Sequence, residues 1–243
     1  MRWLLILMIS ALAACEPLPP QAPQPSPSQD TRATDAPPRS NADLRQRAEI
    51  AARNFVQVVE TVEPVAESEC RRVAPRMNCD FLIVVDDRPG QAPNAFQTLA
   101  RDGRPIVAFN LALIASVDNA DELAFVMGHE AAHHILGHLT RMQQNAAVGA
   151  VIFSGLASMS GANAASVRTA EELGAAVGAR TYSKDFELEA DRLGTIITKR
   201  AGYDPIRGAA FFTRLPDPGN KFLGTHPPNS ARIDIVRRTA GAI

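Results

Sequence analysis

Four of the five histidines in this 243-residue chain fall within ten positions, in the run Gly128-His129-Glu130-Ala131-Ala132-His133-His134-Ile135-Leu136-Gly137-His138. The run contains His-Glu-x-x-His. Residues four apart on a helix are separated by about 40° around the axis and about 6 Å along it, so His129 and His133 leave the same face and can grip one ion. Glu130 lies on the same side, placed to take a proton from a water that the metal activates. The chemistry expected of this group is hydrolysis assisted by zinc, one ion per chain. A catalytic zinc normally has three protein ligands and an open fourth position, so one further ligand is expected downstream.

Ten residues after His129 stands Leu139, so the longer pattern with a third histidine at that place is absent. On a continuous helix His138 projects about 140° away from His133, which suits a packing or supporting role better than ligation. His134 is assigned to packing or support as well. A second cluster lies in Ser183-Lys184-Asp185-Phe186-Glu187-Leu188-Glu189-Ala190-Asp191. Glu187 and Asp191 are four apart on one helix face. The first can bind the ion while the second accepts a hydrogen bond from the far nitrogen of a ligating imidazole. Glu189 points about 200° from Glu187 and has no such partner. Without the histidine motif upstream, this segment would read as an ordinary charged helix face.

These groups need rigid elements to position them. Leu123, Ala124, Val126, Met127, Ala131, Ile135, Leu136 and Leu139 surround the motif with apolar positions, which predicts a buried helix over roughly 120–143. Asn119 offers its N-cap and Glu122 stands at the capping-box position. Burying several imidazoles and a carboxylate without partners would cost several kcal/mol, and a metal is the simplest way to satisfy them. Ser183 is a plausible cap for the second helix. An opening helix is expected over about 43–63, two or three short strands between 80 and 110, and a later helix starting at Asp204-Pro205, with Asp as cap and Pro in the first turn. The stretch 146–165, small and apolar, reads as a close-packed helix rather than a membrane-touching hairpin. The fold class expected is α+β: a mainly helical, zincin-like domain over 41–243 with a small sheet beside the metal helix. An edge of that sheet could hold an extended peptide by strand addition.

With these residues in view, the chain resembles the zinc metallopeptidases of the gluzincin type that include the CAAX prenyl protease, the bacterial heat-shock protease HtpX and a periplasmic beta-barrel-assembly-enhancing protease. His-Glu-x-x-His followed by a further histidine is matched by His129, Glu130, His133 and His138. The second family motif, Glu-x-x-Ala-Asp, is matched by Glu187, Ala190 and Asp191. Asn94-Ala95-Phe96 resembles the family's Asn-Ala-Phe segment, which precedes an edge strand, here 105–109. His226-Pro227 with Arg232 resembles a His-Pro element whose following arginine comes back over the active site. The family usually has Ser-Arg where this chain has Ser183-Lys184.

The resemblance implies a metalloendopeptidase with His129, His133 and Glu187 as ligands, Glu130 as general base, and Asp191 and His138 behind the ligands. Two roles are open to His226, capping the zinc as a latch or helping to bind the transition-state oxyanion, beside that of an ordinary loop histidine. Arg232 is expected to bind a substrate carbonyl or carboxylate, or to be a solvated helix charge. The expected substrates are misfolded or unassembled envelope polypeptides. The outer-membrane assembly machinery is a possible partner, and an assembly factor that keeps the fold with little cleavage is the alternative function.

The N terminus addresses the chain to a membrane surface. A basic start and the apolar run Trp3-Leu4-Leu5-Ile6-Leu7-Met8-Ile9 are too short for an ordinary span. Leu12-Ala13-Ala14-Cys15 resembles a bacterial lipobox, so residues 1–15 are expected to be a signal ending at a lipidated Cys15. Glu16 at the next position points to the periplasmic side of the outer membrane. Residues 16–40 hold eight prolines and almost no large apolar residues, a linker able to extend up to roughly 70 Å. Of the 3 cysteines, Cys70 and Cys79 remain as a disulfide in an oxidising compartment. A formal net charge of -1 gives no sign of a nucleic-acid partner.

Overall fold

The computed structural model describes residues 41–181, 183–219 and 226–243. The expected signal, the lipobox Cys15 and the linker 16–40 lie outside the described residues, as do Tyr182, Gly224 and Thr225.

The first helix, α1 (Asn41–Val73), is ten residues longer at its C-terminal end than the expected 43–63 and passes through Pro64. A proline inside a helix removes one hydrogen bond and crowds the preceding turn, at a cost of about 3 kcal/mol. Here Val58, Val62, Ala66 and Cys70 recur every four residues and are all buried. That stripe runs across the proline, and its burial outweighs the broken bond. The helix ends where Cys70 is bridged to Cys79, which brings the chain to the sheet.

Three strands follow, β1 (Leu82–Asp86), β2 (Ala95–Leu99) and β3 (Pro105–Asn110), in the order β1-β3-β2. β1 pairs with β3 in parallel, with Leu82 opposite Ile106. β2 pairs with β3 antiparallel, with Ala95 opposite Phe109. The expected edge strand at 105–109 is therefore the central one, and the edge is Ala95–Leu99 itself. The burial of β3 accounts for this: Val107, Ala108, Phe109 and Asn110 are all buried, the pattern of a strand covered on both faces. The Asn110 side chain accepts from the Asn94 backbone N–H and donates to the Ala92 carbonyl, fixing the entry to β2.

After the short α2 (Leu111–Ser116) comes the metal-motif helix α3 (Ala120–Ile135). Asn119 caps it by accepting from the Glu122 N–H, and the Glu122 carboxylate reaches back to the Asp118 N–H. Glu122 is 1% exposed and takes a bidentate pair of hydrogen bonds from Arg214, so the cap also pins a distant segment. The helix does not run on to residue 143. Gly137 adopts φ 66, a left-handed conformation that glycine enters at no steric cost. The Gly137 N–H returns to the His134 carbonyl, as expected of a glycine that closes a helix.

A new helix, α4 (His138–Met159), starts immediately and folds back through a turn into α5 (Ala164–Arg180). The stretch 146–165 is thus the end of one helix, a turn at Gly161 and the start of another. The two helices press together at Gly149 and Gly174. Their outer side stays open, with Val151 71% and Met159 88% exposed. Among the described residues no helix is long and apolar enough to cross a membrane.

The second acidic segment forms α6 (Ser183–Arg200). Ser183 is its first helical residue rather than the cap, and its hydroxyl donates to the Arg180 carbonyl. α6 crosses α3 at Gly128 and Gly194: a Cβ added at Gly194 would stand 2.8 Å from the His129 backbone nitrogen. No larger residue fits such a crossing without moving a helix. Asp204 caps α7 (Pro205–Ala209) through the Ile206 and Arg207 N–H groups, as its Asp-Pro start suggests. A 3-10 turn (Ala210–Arg214) and α8 (Asn229–Gly241) complete the order. The core lies between α1, β3, α3 and α6, with Val62, Val107, Phe125 and Ile197 at its centre.

Candidate metal centre

The α3–α6 crossing sets the site. Gly128 and Gly194 hold the axes close, so side chains within two turns of the crossing on each helix meet. His129 and His133 come from α3, and Glu187 and Asp191 from α6. The two Nε2 atoms of His129 and His133 lie 3.0 Å apart. The Glu187 carboxylate stands 3.6 Å from the first and 3.5 Å from the second. One donor atom from each of the three residues falls within 4.8 Å of the others. Donors held at about 2.0–2.1 Å from one ion in a tetrahedron are about 3.3 Å from each other. Two imidazoles and a carboxylate at these separations fit a zinc ion in both chemistry and size.

Each of these two imidazoles is held from behind. His129 Nδ1 lies 2.9 Å from Asp191 Oδ1. Asp191 is 0% exposed and is gripped by Arg232, whose Nε and one terminal nitrogen donate to its two oxygens at 2.8 and 2.7 Å. The guanidinium stacks on Phe212, 3.8 Å from the ring centre. Arg232 is therefore a buried partner of Asp191, not a solvated helix charge. His133 Nδ1 lies 2.9 Å from His138 Nδ1, and His138 Nε2 lies 3.0 Å from Glu189. The break at Gly137 places His138 there, and rotation around one continuous helix would not. Glu189, expected to have no such partner, is in contact with the histidine behind His133. Its signal was the Gly137 directly after the apolar run, which marks a helix end.

His226 approaches from the other side, its Nδ1 3.2 Å from Glu187 Oε2, with the side chain half exposed. His134 faces away from the site. It hydrogen-bonds the Asn78 carbonyl at 2.7 Å and packs edge-on against Phe81.

The electrostatics follow from burial opposed by close partners. Burial alone would lift the Asp191 carboxyl, yet hydrogen bonds from Arg232 and His129 hold it below its ordinary value. Glu187 is held low in the same way, against its burial, by the His226 hydrogen bond and the charges around it. Burial pushes His133 down to about 3, which leaves the ring neutral and its lone pair available. Glu130 goes the other way: burial lifts its carboxyl, while His129 and a hydrogen bond from the Gln97 backbone N–H pull it back in part. That last contact ties the carboxylate to the edge strand β2.

The cleft over these groups encloses about 390 Å³, within the usual range for a ligand site. Glu130, His133 and Glu187 stand at its floor. Asn94 and, on the β2 edge, Ala95, Phe96 and Gln97 line one side, and Phe125, Leu139, Met142, Phe186 and Phe211 give it an apolar wall. Their sequence pattern assigns none of these five apolar residues to a cleft, because they come from four separate elements, α3, α4, α6 and the 3-10 turn.

Known proteins are similar to this chain in sequence. Over 156 residues the chain is 30% identical to the beta-barrel assembly-enhancing protease of Yersinia pestis, covering 55% of this chain and 30% of that protein. It is 32% identical over 147 residues to the protein of that name from Escherichia coli strain K12, with the same coverage. A putative beta-barrel assembly-enhancing protease of Vibrio cholerae gives 32% over 147 residues, again with that coverage. The chain thus spans 30% of the length of the curated relatives it matches. Residues 53–240 match the profile of Peptidase family M48. That match runs from α1 to α8 and takes in every residue of the cluster, and so the chain belongs to Peptidase family M48, its fold a mainly helical, zincin-like metallopeptidase domain.

Proposed function

We propose that this chain is a zinc-dependent endopeptidase that cleaves misfolded or unassembled proteins of the bacterial envelope from a lipid anchor on the periplasmic side of the outer membrane. The observation that carries it is the convergence of the His129 and His133 Nε2 atoms on Glu187, with Glu130 beside them in one cleft. His129, His133 and Glu187 would hold the ion. When bound, zinc supplies Lewis acidity, lowering the pKa of water and polarising a carbonyl.

The remaining steps belong to the protein. Glu130, in a desolvated pocket, takes the proton of the attacking water and delivers it to the leaving amine. Asp191 accepts from His129 Nδ1–H, so the Nε2 lone pair faces the ion, and Arg232 keeps that carboxylate charged and in place. The outer edge of β2 offers backbone groups to an extended peptide beside Phe96 and Gln97. The apolar wall excludes water and suits the hydrophobic segments that unfolded chains expose. The hydrogen bond from His226 to Glu187 supports the latch over the oxyanion role, because it engages an oxygen of the third ligand.

Metal analysis and casein cleavage by the full chain test the reading. One zinc per chain is expected, with cleavage that stops when a chelator removes the ion and returns with one equivalent of zinc. Cleavage that survives full removal of metal sinks the mechanism, and bound zinc without cleavage favours the assembly-factor alternative. The anchor has its own test: Cys15→Ser should move the protein from the membrane fraction to the soluble periplasm. Unchanged partitioning would remove the lipid from the reading.

A further inference from the structure

We propose that Glu189 is a positioning residue for the metal ion, selecting through His138 the one tautomer of His133 that can ligate it. The inference rests on His133 being a ligand. His133 must present the Nε2 lone pair to the ion, so its single proton sits on Nδ1. That N–H points at His138 Nδ1, 2.9 Å away, which must then be the acceptor. His138 consequently carries its own proton on Nε2, and Nε2 lies 3.0 Å from Glu189 Oε2, an atom that can only accept. Every proton in the chain Glu189–His138–His133 has one place. Reversing His138 would make His133 Nδ1 an acceptor, move the His133 proton to Nε2 and cover the lone pair the ion needs.

The relay is built into rigid surroundings. His138 is 4% exposed and lies parallel to the Phe186 ring at 4.6 Å, so its plane is fixed while either tautomer fits. Only the group at its far nitrogen chooses between them. His129 meets the same need directly, with Asp191 against its Nδ1. Both imidazoles thus have a carboxylate behind them, one at first hand and one through a histidine. On the solvent side Glu189 also pairs with Arg141 at 2.7 Å. A partly exposed ion pair of this kind contributes little to stability, and it provides the control.

The test measures zinc affinity by competition with a chromophoric chelator, in the full chain and in Glu189→Ala, Glu189→Gln and Arg141→Ala, together with the unfolding temperature of each metal-free protein. Loss of a group behind a metal ligand typically weakens binding 10- to 100-fold, and Glu189→Ala is expected in that range. Glu189→Gln keeps an oxygen acceptor and should lie within a few-fold of the parent. Arg141→Ala, which removes the ion pair and the guanidinium's contact with the Phe186 ring but leaves Glu189 against His138, should keep affinity within a few-fold of the parent. Equal affinity in the parent and Glu189→Ala overturns the relay, as does a loss in Arg141→Ala as large as that in Glu189→Ala. If Glu189→Ala fails to fold, imidazole nitrogen chemical shifts of the zinc-loaded parent still decide. A proton on His138 Nε2 and on His133 Nδ1 supports the relay, and the opposite tautomer overturns it. A parent that binds no zinc refutes the metal reading and the relay together, whereas a parent that binds zinc with an unaffected variant refutes the relay alone.

Discussion

Glu130→Gln is expected to leave a folded protein that still binds zinc and cleaves casein between about 10² and 10⁴ times more slowly, the usual contribution of a positioned general base. In free energy this is about 3 to 5.5 kcal/mol of transition-state stabilisation. The substitution keeps the shape, and the amide oxygen can still accept from the Gln97 N–H that the carboxylate uses. Only the ability to take a proton is removed. The fold should not suffer, because burial already works against the ionised form and Glu187 adds like-charge repulsion.

The sign of the pH dependence follows. A carboxyl whose folded pKa lies above its unfolded value binds more protons in the native state, so its contribution to stability falls as pH rises from the unfolded pKa through the folded one. The metal-free parent should carry that loss and the glutamine variant should lack it, giving a difference in unfolding temperature that opens above the ordinary glutamate range. Zinc-dependent cleavage by Glu130→Gln at parental rate would remove Glu130 from the mechanism.

Arg232→Ala should cost about 3–5 kcal/mol, the range for removing one partner of a buried ion pair. The reason is what it leaves behind. Asp191 is 0% exposed and would keep its charge with only His129 to answer it. Arg232→Lys should recover a minority of the loss, because an ammonium cannot donate along two parallel lines or lie flat on Phe212. Denaturant unfolding of the metal-free proteins measures both. A loss below about 1 kcal/mol for alanine would mean that water replaces the guanidinium, and that the pair is no part of the frame. Zinc affinity should fall with stability, since the same arginine holds the carboxylate that orients His129.

Much of this site could be read from local spacing. Asn119 and Glu122 announce the start of α3, the four-residue repeats place His129 with His133 and Glu187 with Asp191, and Asp204-Pro205 starts α7. Each of these depends on residues within one turn of each other. What escaped depended on a competition or a distant partner. Gly137 signals a helix end, but Leu139 beyond it continues the apolar period, and it is the left-handed conformation of the glycine that turns His138 toward His133. Pro64 reads as a stop, and the stripe from Val58 to Cys70 overrides it through packing that no window of sequence displays. The order of the strands was misjudged because β2 lacks a strong strand pattern and takes its place by pairing with β3. Arg232 reads as either a substrate-binding group or a solvated charge until α8 is laid across α6 and brings it onto Asp191, and Glu189 reads as idle until α4 begins beneath it.

The Cys70–Cys79 bridge has a reach beyond the short loop it closes. The Asn78 carbonyl that receives His134 lies inside the closed loop, so the back of α3 hangs on a segment whose unfolded alternatives have been pruned. Closing a loop of this size removes chain entropy worth about 2.5 kcal/mol from the open ensemble. Any fluctuation that lifts α3 away at His134 must therefore begin from a tether already short of places to go. In amide exchange, protection at the His-Glu-x-x-His turn would then report the oxidation state of two sulfurs that never face the cleft.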